Sequence, residues 1–244
     1  MARKAVPKPL TSSPVRPDRD AVVDALMRLA GDRPWNDIEI ADIAQEAGTT
    51  LAEFRDLFPS KGAVLGALSR RIDKQVLAGT SEDLAEEPAR ERLFDVFMRR
   101  LDAMAPYKAA LRRISYALRS DPLSLAALNR SALNSQRFML AAAGISTEGP
   151  LGLFKLQGAV LIFANTLETW FQDDDSALAR TMARLDRELR RGERAIERAE
   201  DFRRLTAPLR ALGQALVDGR RRVRRRARPR YPDDDEMGDP AAAI

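Results

Sequence analysis

The segment Asp37 to Lys61, DIEIADIAQEAGTTLAEFRDLFPSK, constrains this chain more than any other stretch. Its apolar spacing describes two short helices meeting at Ala47-Gly48-Thr49-Thr50, and a third helix leaves after Phe58-Pro59-Ser60-Lys61. Glycine at the turn supplies the left-handed backbone that lets one helix stop and the next begin at a steep angle. Two helices so joined, spanning Glu39 to Phe58, form a helix-turn-helix, a module that offers its second helix to the DNA major groove. The same segment carries six acids against two bases, a net charge of −4. Phosphate contacts supply most of the affinity for DNA, so that balance opposes the function the pattern suggests.

The rest of the sequence narrows the chemistry by what it lacks. There is no cysteine and no histidine among 244 residues. Disulfides, Cys/His zinc sites, thiol nucleophiles and imidazole acid–base catalysis are therefore excluded. No nucleophile–base pair, phosphate-cradling glycine loop or metal-ligand spacing is visible, so an enzyme is the least expected class and no cofactor is expected. Paired acids such as Asp173-Asp174-Asp175 read as helix-terminus charges. The N-terminus lacks the apolar core of a secretory signal and no apolar run is long enough for a bilayer, so a cytoplasmic location is expected.

Net charge is +5, but it is unevenly spread. Residues 1–17 form a basic, Pro- and Ser-rich arm expected to be disordered. Residues 219–244 form an Arg-rich tail, with eight arginines from Arg220 to Arg230, followed by the acids Asp233 to Glu236. Residues 20–218 carry 28 basic and 30 acidic side chains, a balance of −2. The two tails are suited to polyanions, either nucleic acid or an anionic membrane surface.

Between the tails every segment follows helical periodicity and none shows strand alternation, so the expected fold is all-α. A head over 18–78 comprises three helices and a linking helix that starts at Ser60 and carries Val64, Leu65, Leu68, Ile72 and Val76. A helical body over 84–204 follows. Its helices are expected near Pro88 to Met104, Tyr107 to Arg119, Pro122 to Ala143, Leu151 to Phe171, and from Asp174-Asp175-Ser176 to about Arg204. Leu151–Phe171 has only Lys155 and Glu168 as charges, so burial on nearly all sides is expected. An amphipathic helix is expected over 205–218.

Ile43-Ala44, Ala47-Gly48, Phe54 and Phe58-Pro59-Ser60-Lys61 resemble the N-terminal signature of TetR-family transcriptional regulators. The resemblance implies a DNA-binding head and a body that binds a small effector and dimerises through its last two long helices. It further implies double-stranded operator DNA as partner and repression as the mode of action. Carried onto this sequence, the DNA-contacting residues are Thr49 and Thr50 for a phosphate, Leu51, Ala52 and Arg55 on the groove-facing side, and Lys61 as a phosphate clamp. Arg55 is the best candidate for reading a base, since its fork pairs with guanine. The chain departs from the pattern where Glu53 replaces a phosphate-contacting Thr, and where Arg55 and Leu57 replace tyrosines. Thr50-x-x-Glu53 is also a capping box, which gives that carboxylate a structural use.

A second, shorter resemblance covers Thr166–Arg191. Trp170, Asp174, Ser176, Thr181 and Leu185-Asp186-Arg187 are similar to the C-terminal helices of the TetR-like lipid-binding accessory protein of ubiquinone biosynthesis. It implies, as the alternative function, a lipid- or quinone-binding protein with a degenerate head, held at a membrane through its C-terminus. For either function the candidate ligand pocket comprises Phe138, Met139, Phe154, Phe163 and Trp170, and the low polar content there favours an apolar effector.

Overall fold

The computed structural model of the chain describes residues 18–79, 86–119 and 121–205. Among these, all regular structure is helical. Nine α-helices run α1 (Arg19–Asp32), α2 (Ile40–Glu46), α3 (Leu51–Leu57), α4 (Lys61–Ala78), α5 (Ala89–Met104), α6 (Lys108–Leu118), α7 (Pro122–Ala142), α8 (Gly152–Trp170) and α9 (Ala179–Leu205). The expected basic arm, Arg-rich tail and most of the 205–218 segment lie outside the described residues. Residues up to Arg194 form one compact unit; from Ala195 the chain belongs to a second, whose described part is the end of α9.

The head closes around Val22, Val23 and Leu26 of α1, Ile43 and Ala44 of α2, Phe54 and Phe58, and Val64 of α4, all buried. Trp35 sits in a short 3-10 turn (Trp35–Asp37) and is buried with Ile38 beneath it. The turn between α2 and α3 is a Schellman motif. The Thr49 amide donates to Ala44 O at 2.9 Å and the Gly48 amide to Gln45 O at 3.1 Å, with Gly48 at φ +66°. Ser60 caps α4 by accepting the Ala63 amide, as its position before the apolar run predicts.

Head and body share α4 and meet again along α1 and α6. Arg71 of α4 donates to Asp24 of α1 at 2.7 Å and to the Tyr107 hydroxyl at 2.9 Å, while Arg113 of α6 donates to Asp32 O at the end of α1. In the body, α5, α7 and α8 bury Phe97, Leu101, Met139, Leu140, Leu156 and Phe163.

Two expectations are corrected here. The last helix begins at Ala179 rather than at Asp174-Asp175-Ser176, because Leu178 takes φ +51° and interrupts the helical path. Its cap comes from Asp173, whose carboxylate accepts from Thr181 N at 2.8 Å and from Thr181 Oγ1 at 2.7 Å. Nor is α8 buried on nearly all sides within the chain. Leu153 is 71 % exposed and Leu161 56 %, with Phe154 also exposed. Leu153, Phe154, Leu161 and Ala164 are exposed, and Phe154 and Leu161, two turns apart, share a face, so an apolar stripe of α8 faces outward.

Candidate nucleic-acid interface and effector region

The outward face of α3 presents Leu51, Ala52, Arg55 and Asp56, all exposed, while Phe54 and Phe58 point inward. No hydrogen bond or ion pair holds the Arg55 guanidinium among the described residues, so it is available to a ligand. Four other head cations are engaged within the chain. Arg28 pairs with Glu46 at 2.8 Å, and Arg33 binds Asp42 and the Asp37 carbonyl. Arg19 donates to Leu57 O at 2.7 Å with its guanidinium 4.3 Å from the Phe58 ring centre.

Lys61 is also spent internally. Its ammonium donates to Trp35 O at 2.6 Å and Ile38 O at 2.8 Å and lies 4.1 Å from the centre of the Trp35 ring. Burial draws its pKa below the usual lysine value. Lys61, expected as a phosphate clamp, instead ties α4 to the Trp35 and Ile38 carbonyls at either end of the 3-10 turn.

At the start of α3 the donors foreseen for a phosphate are held by Glu53. Its Oε2 accepts from Thr50 N at 2.8 Å, Thr50 Oγ1 at 2.9 Å and Thr49 Oγ1 at 2.9 Å. The Glu53 amide in turn donates to Thr50 Oγ1 at 3.2 Å, completing the capping box. The Thr50 amide, and then the Thr50 and Thr49 hydroxyls, hold the Glu53 carboxyl below its ordinary pKa. The Glu53 carboxylate thus already takes up these three donors. At α2 the corresponding acid is Asp42, lowered by the Glu39 amide and by Arg33.

The five residues expected to line a pocket differ in burial. Met139, Phe163 and Trp170 are buried in the core, whereas Phe138 and Phe154 are close to half exposed. Phe138 and Met139 are consecutive on α7 and so point some 100° apart around the helix. The sequence reading passed over a buried polar cluster in the same region. Arg100 of α5 pairs with Asp73 of α4, and Asp73 also accepts from Ser135 of α7 at 2.8 Å. Arg100 lies 5.2 Å from the Phe163 ring centre, and Phe163 meets Phe97 edge-on at 5.1 Å. Desolvation pulls the guanidinium below its usual pKa against the opposing pull of Asp73. The signal was present in the sequence, since Arg100 continues the apolar stripe Leu93, Val96, Phe97, Leu101, Met104.

The residues of the second resemblance have structural uses. Trp170 is core, Thr181 is the partner of Asp173, and Asp186 binds Arg90 at 3.0 Å. No described helix is long and apolar enough to cross a membrane. Arg220 to Arg230, the expected membrane-facing stretch, lies outside the described residues.

No protein-family model matches the sequence, and no curated protein matches it. Solved structures do match in fold. A TetR transcriptional regulator from Nitrosomonas europaea superposes with a TM-score of 0.58 at 23 % identity, covering 72 % of this chain and 97 % of that one. A TetR transcriptional regulator from Rhodococcus sp. RHA1 gives 0.51 at 19 %, covering 71 % and 94 %. The chain has the fold of the TetR-type regulators, a helix-turn-helix head followed by a helical body.

Proposed function

We propose that the protein is a ligand-responsive, DNA-binding transcriptional regulator that works as a homodimer and represses by occupying its operator. One observation carries this reading: within a TetR-type fold, α3 holds an exposed, unpaired Arg55 at the centre of its outer face. Arg55 reads a guanine edge; Leu51 and Ala52 make apolar contacts such as those with thymine methyls. Thr49 and Thr50 contact a phosphate only when Glu53 yields their hydroxyls. The basic residues of the N-terminal arm and the Arg-rich tail offset the acidic head by supplying phosphate contacts from outside it. In this reading 18–78 is the DNA-binding head and 84–204 the effector-binding and dimerising body.

The outward apolar stripe of α8, with half-exposed Met182 on α9, supports a second copy as its cover. Two heads fixed by such a symmetric interface bind half-sites about one helical turn, roughly 34–36 Å, apart. An effector in the body acts by changing that separation. Selection of bound duplexes from a random pool at low salt tests the reading. A two-fold symmetric sequence should emerge for the wild type, with at least one position relaxed in Arg55→Ala. Recovery of no preferred sequence by the wild type would remove the function.

A further inference from the structure

The Arg100 guanidinium is buried and incompletely used. Nη1 carries Asp73, and Nη2 makes only a 3.3 Å contact with Ser69 Oγ. Nε–H is buried and has no acceptor at all. Nε and Nη2 form the side edge of the guanidinium, the edge that offers two parallel donors to one acceptor group. Buried donors in folded proteins are nearly always satisfied, so an open edge at this depth marks a missing acceptor. Beside it stands the Phe163 ring, which in turn meets Phe97 edge-on.

We propose that the Nε/Nη2 edge of Arg100 anchors the effector, and that the effector is a neutral, largely apolar molecule presenting a carbonyl oxygen. Charge decides the class. Arg100 is already neutralised by Asp73, so a carboxylate ligand would bring an uncompensated anion into a desolvated core. A carbonyl oxygen accepts from Nε–H and Nη2–H at no such cost, and the aromatic rings take the apolar remainder. The anchor also has a route to the head. Ser69 and Asp73 both lie on α4, whose first residue, Lys61, grips the Trp35 and Ile38 carbonyls. A ligand that takes Nη2 from Ser69 therefore loosens one tie between α4 and α5. The inference rests on the proposed regulator function, but its test uses no DNA, so failure here is distinct from failure to bind an operator.

The test is calorimetric titration of the full chain with three ligands of matched size: 2-acetylnaphthalene, its hydrocarbon isostere 2-isopropylnaphthalene, and 2-naphthoate. The ketone should bind saturably and at least tenfold tighter than either of the others. Arg100→Lys retains a cation for Asp73 but has no Nε–H; it should erase the ketone's advantage over the hydrocarbon. The carbonyl stretch of the bound ketone should move to lower frequency in the wild type, a readout that holds even if the variant does not fold. Equal binding of ketone and hydrocarbon, preference for naphthoate, an unshifted carbonyl band, a ketone preference that survives Arg100→Lys, or no saturable binding by the ketone would each overturn the proposal.

Discussion

Glu53 illustrates how one side chain can serve the fold and oppose the function. Its carboxylate satisfies the start of α3 through Thr49 and Thr50. In doing so it adds negative charge beside Arg55, on the surface proposed to meet phosphates. Glu53→Gln keeps an acceptor for the capping box and removes the charge. It should raise affinity for a random-sequence duplex by about three- to tenfold at low salt, with the gain shrinking as salt rises, measured by fluorescence anisotropy. The pH dependence has a definite sign. Glu53 and Asp42 have folded-state pKa values below their ordinary 4.5 and 3.8, so both favour the folded state above those values. That contribution is lost as pH falls through the lowered folded values. Thermal melts followed by circular dichroism from pH 6 to pH 3 should therefore fall more steeply for the wild type than for Glu53→Gln.

At the scale of elements, two glycines end helices by the same device in different surroundings. Gly48 and Gly144 have φ of +66° and +69° and both close Schellman motifs. A Cβ at Gly48 meets nothing within 4 Å, so Gly48→Ala should cost only the left-handed backbone penalty, about 1–2 kcal/mol. A Cβ at Gly144 comes within 2.9 Å of Arg92 Nη2, and Arg92 Nε donates to the Ala143 carbonyl. Gly144→Ala should therefore be the more costly of the two in urea denaturation. The tie between α4 and α5 behaves differently again. Asp73→Ala leaves Arg100 buried without its counter-ion and should destabilise by about 3–5 kcal/mol. The double change Asp73→Leu with Arg100→Met should recover most of that loss, because it removes both buried charges together.

For the whole molecule, the question is what covers α8. Leu161 is exposed in the single chain yet stands in an apolar stripe with Phe154. Sedimentation should give the mass of a dimer for the wild type. Leu161→Lys should shift it toward a monomer of unchanged helicity, since nothing in the chain's own core depends on that side chain. The packing of α9 onto α8 also relies on a small residue. A Cβ at Gly192 would lie 2.8 Å from Ile162 Cδ1, so Ile162 seats where Gly192 leaves room.

The sequence by itself determined the helical elements of the head. Helical periodicity, Gly48 at the turn, Ser60 before α4 and the Thr50–Glu53 spacing are local signals, and the head helices formed where those signals stand. Tertiary structure alone decided how charged and aromatic side chains are spent. Lys61 looked like a phosphate ligand because its partners, Trp35 O and Ile38 O, lie 26 and 23 residues earlier and are backbone atoms with no sequence signature. Phe138 and Phe154 looked like pocket walls because composition cannot tell which face of a helix is covered. Arg100 and Asp73, 27 residues apart on different helices, became one buried pair only when α4, α5 and α7 packed together. Local patterns fix backbone conformation through neighbours a turn away; the use of a long side chain depends on groups that only folding brings within reach.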